Sequence, residues 1–232
     1  MTRRVVSLWL PRLATDRIRR REAALPAAGP LVTVTEAAGR FLVAAVDAVA
    51  AASGLAPGIS LADARALVPE VATRPADPVG DAAALSRLAE WCGRYTPWTA
   101  AEGTHGVWLD VTGCAHLFGG PDLLDGESAL LEDLLGRLHG FGLAARAALA
   151  ETPGAAWALA RFGGEEKAVV PEGDVRAALA PLPVASLRLG AATADGLSRL
   201  GLRRVGDLYP MARAPLAARF GGEVALRLDQ AL

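Results

Sequence analysis

Several residue types are scarce in this 232-residue sequence, and each scarcity excludes a class of protein. Lys167 is the only lysine among 24 basic residues, and asparagine is absent, a bias typical of GC-rich coding sequence. The two cysteines, Cys92 and Cys114, are too few for a disulfide framework, so we expect free thiols in a reducing cytoplasm. No run of about 18 uncharged apolar residues exists, so the sequence predicts no membrane span.

The bulk composition excludes two further classes. A hydrophobic share of 52% with 21% charged residues is incompatible with a disordered chain. The formal net charge of −1 excludes nucleic-acid binding by overall charge, although it permits a local basic patch. The start of the chain is no secretory signal, because Pro11 and Arg12 end its short apolar run. We expect a folded cytoplasmic protein with one large or two small domains.

Apolar periodicity and turn signals predict alternating strands and helices as far as Gly164. Strands are expected at 5–10, 31–35, 106–111 and 143–149, while 41–46 suits either a strand or a helix. Helices are expected at 15–24, 60–67, 81–92, 126–140 and 153–162. This order indicates the α+β class, with a mixed sheet covered by helices on one face. From Glu165 onward the strand signals stop, and 179–228 reads as four or five short helices.

Three segments, in order along the chain, resemble the Y-family (UmuC/DinB-like) lesion-bypass DNA polymerases. Residues 54–69 look like the fingers segment, 108–112 like the end of the second palm motif, and 182–208 like a thumb with a helix–hairpin–helix around Leu189 and Gly190. The resemblance implies a palm at 1–12 and 78–164, fingers at 13–77 and an all-α thumb at 165–232. The little finger and the C-terminal clamp and partner region of the family are expected to be absent from this chain.

The family's catalytic groups are not found at the matching positions. Polymerase chemistry needs carboxylates that hold two metal ions. The resemblance places these ligand positions on Leu8, His105 and Gly106, none of which is acidic. The positions that contact the incoming triphosphate fall on Ala48 and Ala51. The palm lysine that assists them falls on Trp157. The sequence therefore predicts an inactivated polymerase fold with no catalytic residues, no metal ligands and no cofactor.

Loss of these groups on a retained scaffold resembles the catalytically inactive ImuB group of the family, from bacterial mutagenesis cassettes. Residues 9–11 and 152–158 are also typical of that group. The resemblance implies a scaffold role in DNA damage tolerance, translesion synthesis and SOS mutagenesis. Its implied partners are DNA, an error-prone replicative-type polymerase, a RecA-like accessory protein and the sliding clamp.

The hairpin near the C-terminus is the main DNA-binding candidate. A glycine turn at a helix N-terminus lets backbone N–H groups approach a DNA phosphate. From Lys167 onward the chain has nine basic and six acidic residues. This excess of three positive charges permits weak, salt-sensitive binding of DNA. The alternative is a helical turn that only packs a small domain. The candidate contacts are Arg188, Gly190, Thr193, Arg199, Arg203 and Arg204.

Four alternatives stay open from the residues alone. The arginines at 17 and 19–21 suit either a template or partner surface, or a solvated helix face. An active polymerase would need carboxylates converging from Asp16, Glu102 and Asp110. A metal site at His105, Cys114 and His116 is disfavoured, because their spacing matches no structural zinc site. A protein-interaction module without DNA affinity is the remaining reading.

Overall fold

The computed structural model describes residues 2–22, 25, 29–119 and 123–232. Within them, the strands are β1 (Val5–Trp9), β2 (Leu31–Ala37), β3 (Arg40–Val46), β4 (Ala72–Pro75), β5 (Thr99–Glu102), β6 (Gly106–Asp110), β7 (Arg146–Ala150) and β8 (Lys167–Val169). The helices are α1 (Leu13–Arg21), α2 (Ala48–Ala52), α3 (Leu61–Leu67), α4 (Pro78–Trp91), α5 (Leu123–Gly140), α6 (Pro153–Phe162), α7 (Val175–Leu179), α8 (Ala191–Arg199), α9 (Arg213–Phe220) and α10 (Glu223–Ala231). The helix predicted at 15–24 includes residues 23 and 24, which lie outside the described residues.

The first sheet has five strands in the order β5-β6-β1-β7-β8. Its central strand β1 pairs antiparallel with both β6 and β7, while β7 and β8 are parallel. The mixed α+β architecture predicted from the sequence is therefore confirmed. In the ladder Trp9 lies opposite Gly106, and Leu8 lies opposite Val107.

Helices cover both faces of the first sheet, which differs from the one-sided cover expected from the sequence. On one face, Leu8 and Leu109 pack in a core with leucines of α4 and α5. On the other face, Ala148 and Ala150 pack against α6 and the helices that follow it. The small side chains of β7 and α6 explain the second layer, because alanines let a helix lie close to the strands.

The second sheet has three strands in the order β3-β2-β4 and a separate core. Segment 41–46, which suited a strand or a helix, forms β3 because it pairs antiparallel with β2. Ser60 caps α3, since its hydroxyl accepts a hydrogen bond from the Asp63 amide at 3.0 Å. The helices α2 and α3 complete this unit.

Three strands escape the sequence prediction. β4 contains Pro75 and β5 contains two alanines, so neither shows the β-branched alternation of a typical strand. β8 follows Glu165, where the strand signals were expected to stop; that expectation is wrong. Lys167–Val169 joins the sheet because it pairs in parallel with β7. These short strands owe their conformation to their neighbours.

The C-terminal helical unit, 175–232, contains α7 to α10 and packs on α6. A Cβ built on Gly154 would lie 2.7 Å from both the Ala231 Cα and the Gln230 carbonyl oxygen, so α6 and α10 are in backbone contact there. Thr152 adds a hydrogen bond from its hydroxyl to the Ala231 carbonyl oxygen at 2.8 Å. A glycine is therefore required at position 154.

We expect Gly154→Ala to lower the free energy of unfolding by about 1–3 kcal/mol, because α10 must move away from α6. Gly136→Ala on the exposed face of α5 is the matched control, since no atom lies within 4 Å of its added Cβ. That control should stabilise the protein by about 0.5–1 kcal/mol. Urea denaturation of both variants checks the contact. Equal effects in the same direction would contradict it.

Both cysteines are free thiols, as expected. Cys92 is buried in the core, and its burial raises the thiol pKa to about 12. Among the described residues, no helix is both long and apolar enough to cross a membrane.

Candidate functional site

The three positions that the resemblance assigns to metal ligands do not face one space. Leu8 is fully buried and packs in the core beside α4 and α5. Trp9, one residue later, lies opposite Gly106 and faces the α6 side of the sheet. His105 is at the start of the ladder, where its carbonyl oxygen accepts a hydrogen bond from the Leu10 amide. The structure therefore brings Trp9, His105 and Gly106 together, and it separates Leu8 from them.

An ion pair fills the space in front of Gly106. Arg161 on α6 donates a hydrogen bond to the Glu102 carboxylate at 2.7 Å, and its side chain is only 8% exposed. A Cβ built on Gly106 would collide with the Glu102 carboxylate and lie 3.0 Å from the Arg161 guanidinium. No side chain can project from position 106 while this ion pair is in place.

Arginines and tryptophans alternate through this region in a stack, the Arg–Trp stack, made of Arg146, Trp9, Arg161, Trp157 and Arg188. The guanidinium of Arg161 lies 5.8 Å from the Trp9 ring centroid and 4.3 Å from that of Trp157. Arg146 lies 5.7 Å from Trp9, and Arg188 lies 5.6 Å from Trp157. Such cation–π contacts stabilise by roughly 0.5–2 kcal/mol each, more when desolvated. The stack therefore ties β1, α6 and the C-terminal helical unit together.

The charge of this region disfavours a divalent cation. Burial lowers the pKa of Arg161 to about 10, an effect that Glu102 opposes. Burial, followed by the positive charge of Arg161, also lowers the pKa of His105. Magnesium requires several hard oxygen ligands, whereas the Glu102 carboxylate beside Gly106 already binds Arg161. These residues do not fit the two divalent ions used by Y-family polymerase chemistry.

The carboxylates that an active enzyme would need do not converge. Asp16 accepts a hydrogen bond from the Ala144 amide at 2.8 Å, and Asp110 binds Arg3 at 3.1 Å. Glu102 is opposite Gly106, four residues along β6 from Asp110, a separation of about 13 Å at the usual strand rise. Among the described residues, no group of three or more His, Cys, Asp or Glu side chains is placed to hold a metal ion.

The histidines and the cysteine considered as zinc ligands are also turned to other partners. His105 Nδ1 lies 2.6 Å from the Thr104 hydroxyl, and His116 Nδ1 lies 2.7 Å from the Gly113 carbonyl oxygen. The Cys114 thiol is directed at the Thr112 carbonyl oxygen at 3.9 Å. Each of these three side chains thus contacts a residue close to it in the chain.

A cavity of about 840 Å³ lies between the two sheets. Ala48 at the start of α2 lines it, but Ala51 does not. The arginines that line the cavity include Arg12, which follows β1 in the chain, and Arg146, the first residue of β7. The assignment of Ala48 and Ala51 to triphosphate-contacting positions stays a prediction from the resemblance. The cavity is lined by three arginines and by three carboxylates, those of Asp16, Asp47 and Glu166, so its lining has no excess of either charge.

Arg188, the first of the DNA-binding candidates, lies against α6. It has a left-handed backbone conformation, with φ of 58°, and its guanidinium lies over Trp157. Burial and the neighbouring charge of Arg227 lower its pKa. The side chain thus lies against α6, and a DNA contact by Arg188 stays a prediction.

The other five DNA-binding candidates lie at the two ends of α8. Gly190 caps its N-terminus, and Thr193 lies in its first turn. Arg199, Arg203 and Arg204 are exposed around the turn that follows it, where Gly201 has a positive φ. The amides of Arg203 and Arg204 both donate to the Asp207 carboxylate, so only their side chains are available to a ligand.

The Glu102–Arg161 pair is the feature that sequence reasoning missed. Trp157 and Arg161 are four residues apart on α6, a spacing that places both side chains on one helix face. That spacing was readable from the sequence. Glu102, however, lies 59 residues from Arg161, and only the pairing of β5 with β6 brings the two together.

Solved structures share this fold. The chain superposes on the crystal structure of DinB from Sulfolobus solfataricus with a TM-score of 0.78 and 17% identity, covering 98% of this chain and 66% of that one. For an insertion ternary complex of Dbh DNA polymerase the TM-score is 0.84 at 16% identity, covering 98% and 67%. These matches support the palm and fingers. The assignment of 165–232 to a thumb stays a prediction, as do the predicted domain boundaries.

Curated relatives are closer in sequence. Protein ImuB from two strains of Caulobacter vibrioides, NA1000 / CB15N and ATCC 19089 / CIP 103742 / CB 15, is 53% identical over 179 residues. The aligned segment is 77% of this chain and 38% of each relative, so this chain spans well under half of their length. The IMS family, described as the impB/mucB/samB family, matches residues 14–161. The chain therefore belongs to the impB/mucB/samB family of Y-family, UmuC/DinB-like proteins.

Proposed function

We propose that this chain is a Y-family fold without nucleotidyl-transfer activity that binds DNA and partner proteins as a scaffold in damage tolerance, translesion synthesis and induced mutagenesis. The observation that carries the proposal is the Glu102–Arg161 ion pair against Gly106. The Glu102 carboxylate, held by the Arg161 guanidinium, occupies the space where a ligand side chain at position 106 would project. The loss of activity follows from this replacement, and the scaffold role follows from the retained fold and the similarity to ImuB.

The DNA-binding part of the proposal is supported by exposed charge. Arg199, Arg203 and Arg204 present three guanidinium groups around one turn of the C-terminal helical unit. Arginine side chains in this arrangement contact phosphates without reading sequence. The structural neighbours include a DNA polymerase in ternary and binary complexes, which is consistent with this use of the fold. The replicative-type polymerase, the RecA-like protein and the sliding clamp are proposed partners on the resemblance alone.

We expect Arg203→Ala/Arg204→Ala to weaken binding of a primer–template duplex and to lower the slope of log affinity against log salt by about 2. Arg40→Ala/Arg65→Ala is the charge-matched control, since both arginines are exposed and far from α8 in the chain. Fluorescence anisotropy at several salt concentrations measures both quantities.

Two outcomes would contradict the DNA-binding proposal. Absence of binding by the unmodified chain at low salt would favour an interaction module without DNA affinity. Equal losses in the test and control variants would place the DNA-binding surface elsewhere. The salt slope separates these cases from unfolding, which removes binding at every salt concentration.

A further inference from the structure

A groove of about 390 Å³ lies on the side of the first sheet opposite to α6 and the C-terminal helical unit. Helices α1 and α4 form its walls, and the loop between α5 and β7 closes it. We call it the arginine groove. It is defined by Arg20, Arg21, Arg87, Leu88, Trp91 and Phe141.

The arginine groove carries an excess of positive charge. Arg20, Arg21 and Arg87 are exposed, and none is within salt-bridge distance of a carboxylate in the described part of the chain. The nearby acids Asp77 and Asp81 are both bound to Arg17, at 2.9 and 2.7 Å. Because the whole chain carries a net charge of −1, this excess is a local feature.

The floor of the groove is apolar and aromatic. Trp91 packs edge-on against Phe141, with ring centroids 5.2 Å apart, and Phe141 remains 40% exposed. Leu88 contributes from the buried face of α4. Aromatic side chains and arginines are the residues most enriched at the centres of protein–protein interfaces. Basic walls above an apolar floor match an acidic segment that carries an apolar anchor.

We propose that the arginine groove docks an acidic segment of a partner protein, with an aromatic or aliphatic side chain seated on Trp91 and Phe141. This inference rests on the proposed scaffold function and names a surface for its protein partner. The groove and the exposed arginines at α8 are on opposite sides of the first sheet. A partner in the groove therefore leaves the DNA-binding surface open.

The packing of Trp91 favours a protein partner over nucleic acid. Single-stranded nucleic acids bind by stacking bases on aromatic rings. One face of Trp91 is covered by the Arg94 guanidinium, 4.7 Å from the ring centroid, and its edges contact Tyr95 and Phe141. With one face covered by Arg94, less of the Trp91 ring is open to a stacked base. A duplex backbone would leave the apolar floor uncovered.

Selection from a display library of random 16-residue peptides tests the proposal. The unmodified protein is the bait, and Arg20→Glu/Arg87→Glu is the counter-selection. Arg40→Glu/Arg65→Glu carries the same charge change at exposed sites elsewhere and is the control. We expect enriched peptides to be acidic with at least one aromatic or aliphatic residue. Their affinity should fall by about tenfold or more in the groove variant and stay unchanged in the control.

Several outcomes would overturn the proposal. These are no enrichment over the groove variant, enrichment of neutral or basic peptides, or equal losses in both variants.

A matching loss of duplex DNA affinity in the groove variant would assign the groove to nucleic acid. If the unmodified protein self-associates in sedimentation and only the groove variant does not, the groove would be assigned to a second copy of this chain. If Arg20→Glu/Arg87→Glu melts below the unmodified protein, Arg20→Gln/Arg87→Gln replaces it. Failure here with intact DNA binding leaves the DNA-binding proposal standing.

Discussion

Glu127→Ala is expected to lower the free energy of unfolding by about 3–5 kcal/mol, since it leaves the buried Arg4 charge without its partner. The side chains of Arg4 and Glu127 are 3% and 2% exposed. Two hydrogen bonds join them, at 2.6 and 2.5 Å, and Arg4 also donates to the Val170 carbonyl oxygen at 2.8 Å. The pair thus connects the segment before β1 to α5 and to the end of β8.

The same helix supplies the control for this prediction. Glu132 on α5 pairs with Lys167 at 2.5 Å, but its side chain is 65% exposed. A surface pair of this kind contributes about 0–1 kcal/mol, so Glu132→Ala should have little effect. Guanidinium denaturation of both variants gives the comparison. Similar losses in the two would show that burial of the Arg4–Glu127 pair is not what makes it important.

Gly106→Ala is expected to destabilise the protein by about 1–3 kcal/mol through overpacking alone. The added Cβ would displace the Glu102 carboxylate and would lie 3.0 Å from the Glu102 carbonyl oxygen. Moving Glu102 leaves the buried Arg161 without its partner, which adds to the loss. Gly106→Glu, which returns a carboxylate to this position, should be less stable still.

A double-mutant cycle isolates the cause of that loss. Glu102→Gln removes the ion pair directly, so Gly106→Ala should cost less in the Glu102→Gln background than in the original protein. Gly93→Ala is the control, because no atom lies within 4 Å of its added Cβ. Additive effects at positions 102 and 106, measured by urea denaturation, would mean that the ion pair and Gly106 are not coupled.

Local sequence signals predicted the elements that can be recognised without their neighbours. β1, β6 and α4 carry their own apolar periodicity. β5 and β8 lack such a pattern and are strands only because β6 and β7 lie beside them. The second helical layer on the sheet was not predicted. The alanines that form its contacts fit an exposed surface as well as a close contact, so the sequence pattern does not distinguish the two.

The candidate site was predicted in part, for the same physical reason. The absence of carboxylates at His105 and Gly106 is visible in the sequence. The ion pair that fills the space is identified only by the tertiary contact of Arg161 with Glu102. Side-chain direction was also hidden: Leu8 turns into the core because successive strand residues face opposite sides. The contact of Arg188 with Trp157 is likewise a tertiary feature that the sequence does not reveal.

Primer extension tests most directly the central claim that this fold does not transfer nucleotides. The purified chain is incubated with a primer–template, all four deoxynucleotides and either magnesium or manganese, beside a heat-inactivated sample. We predict no incorporation above the heat-inactivated sample with either metal, while anisotropy on the same preparation reports DNA binding. Metal-dependent incorporation that co-purifies with the chain and is lost on mutation of Asp16, Glu102 or Asp110 would contradict the account.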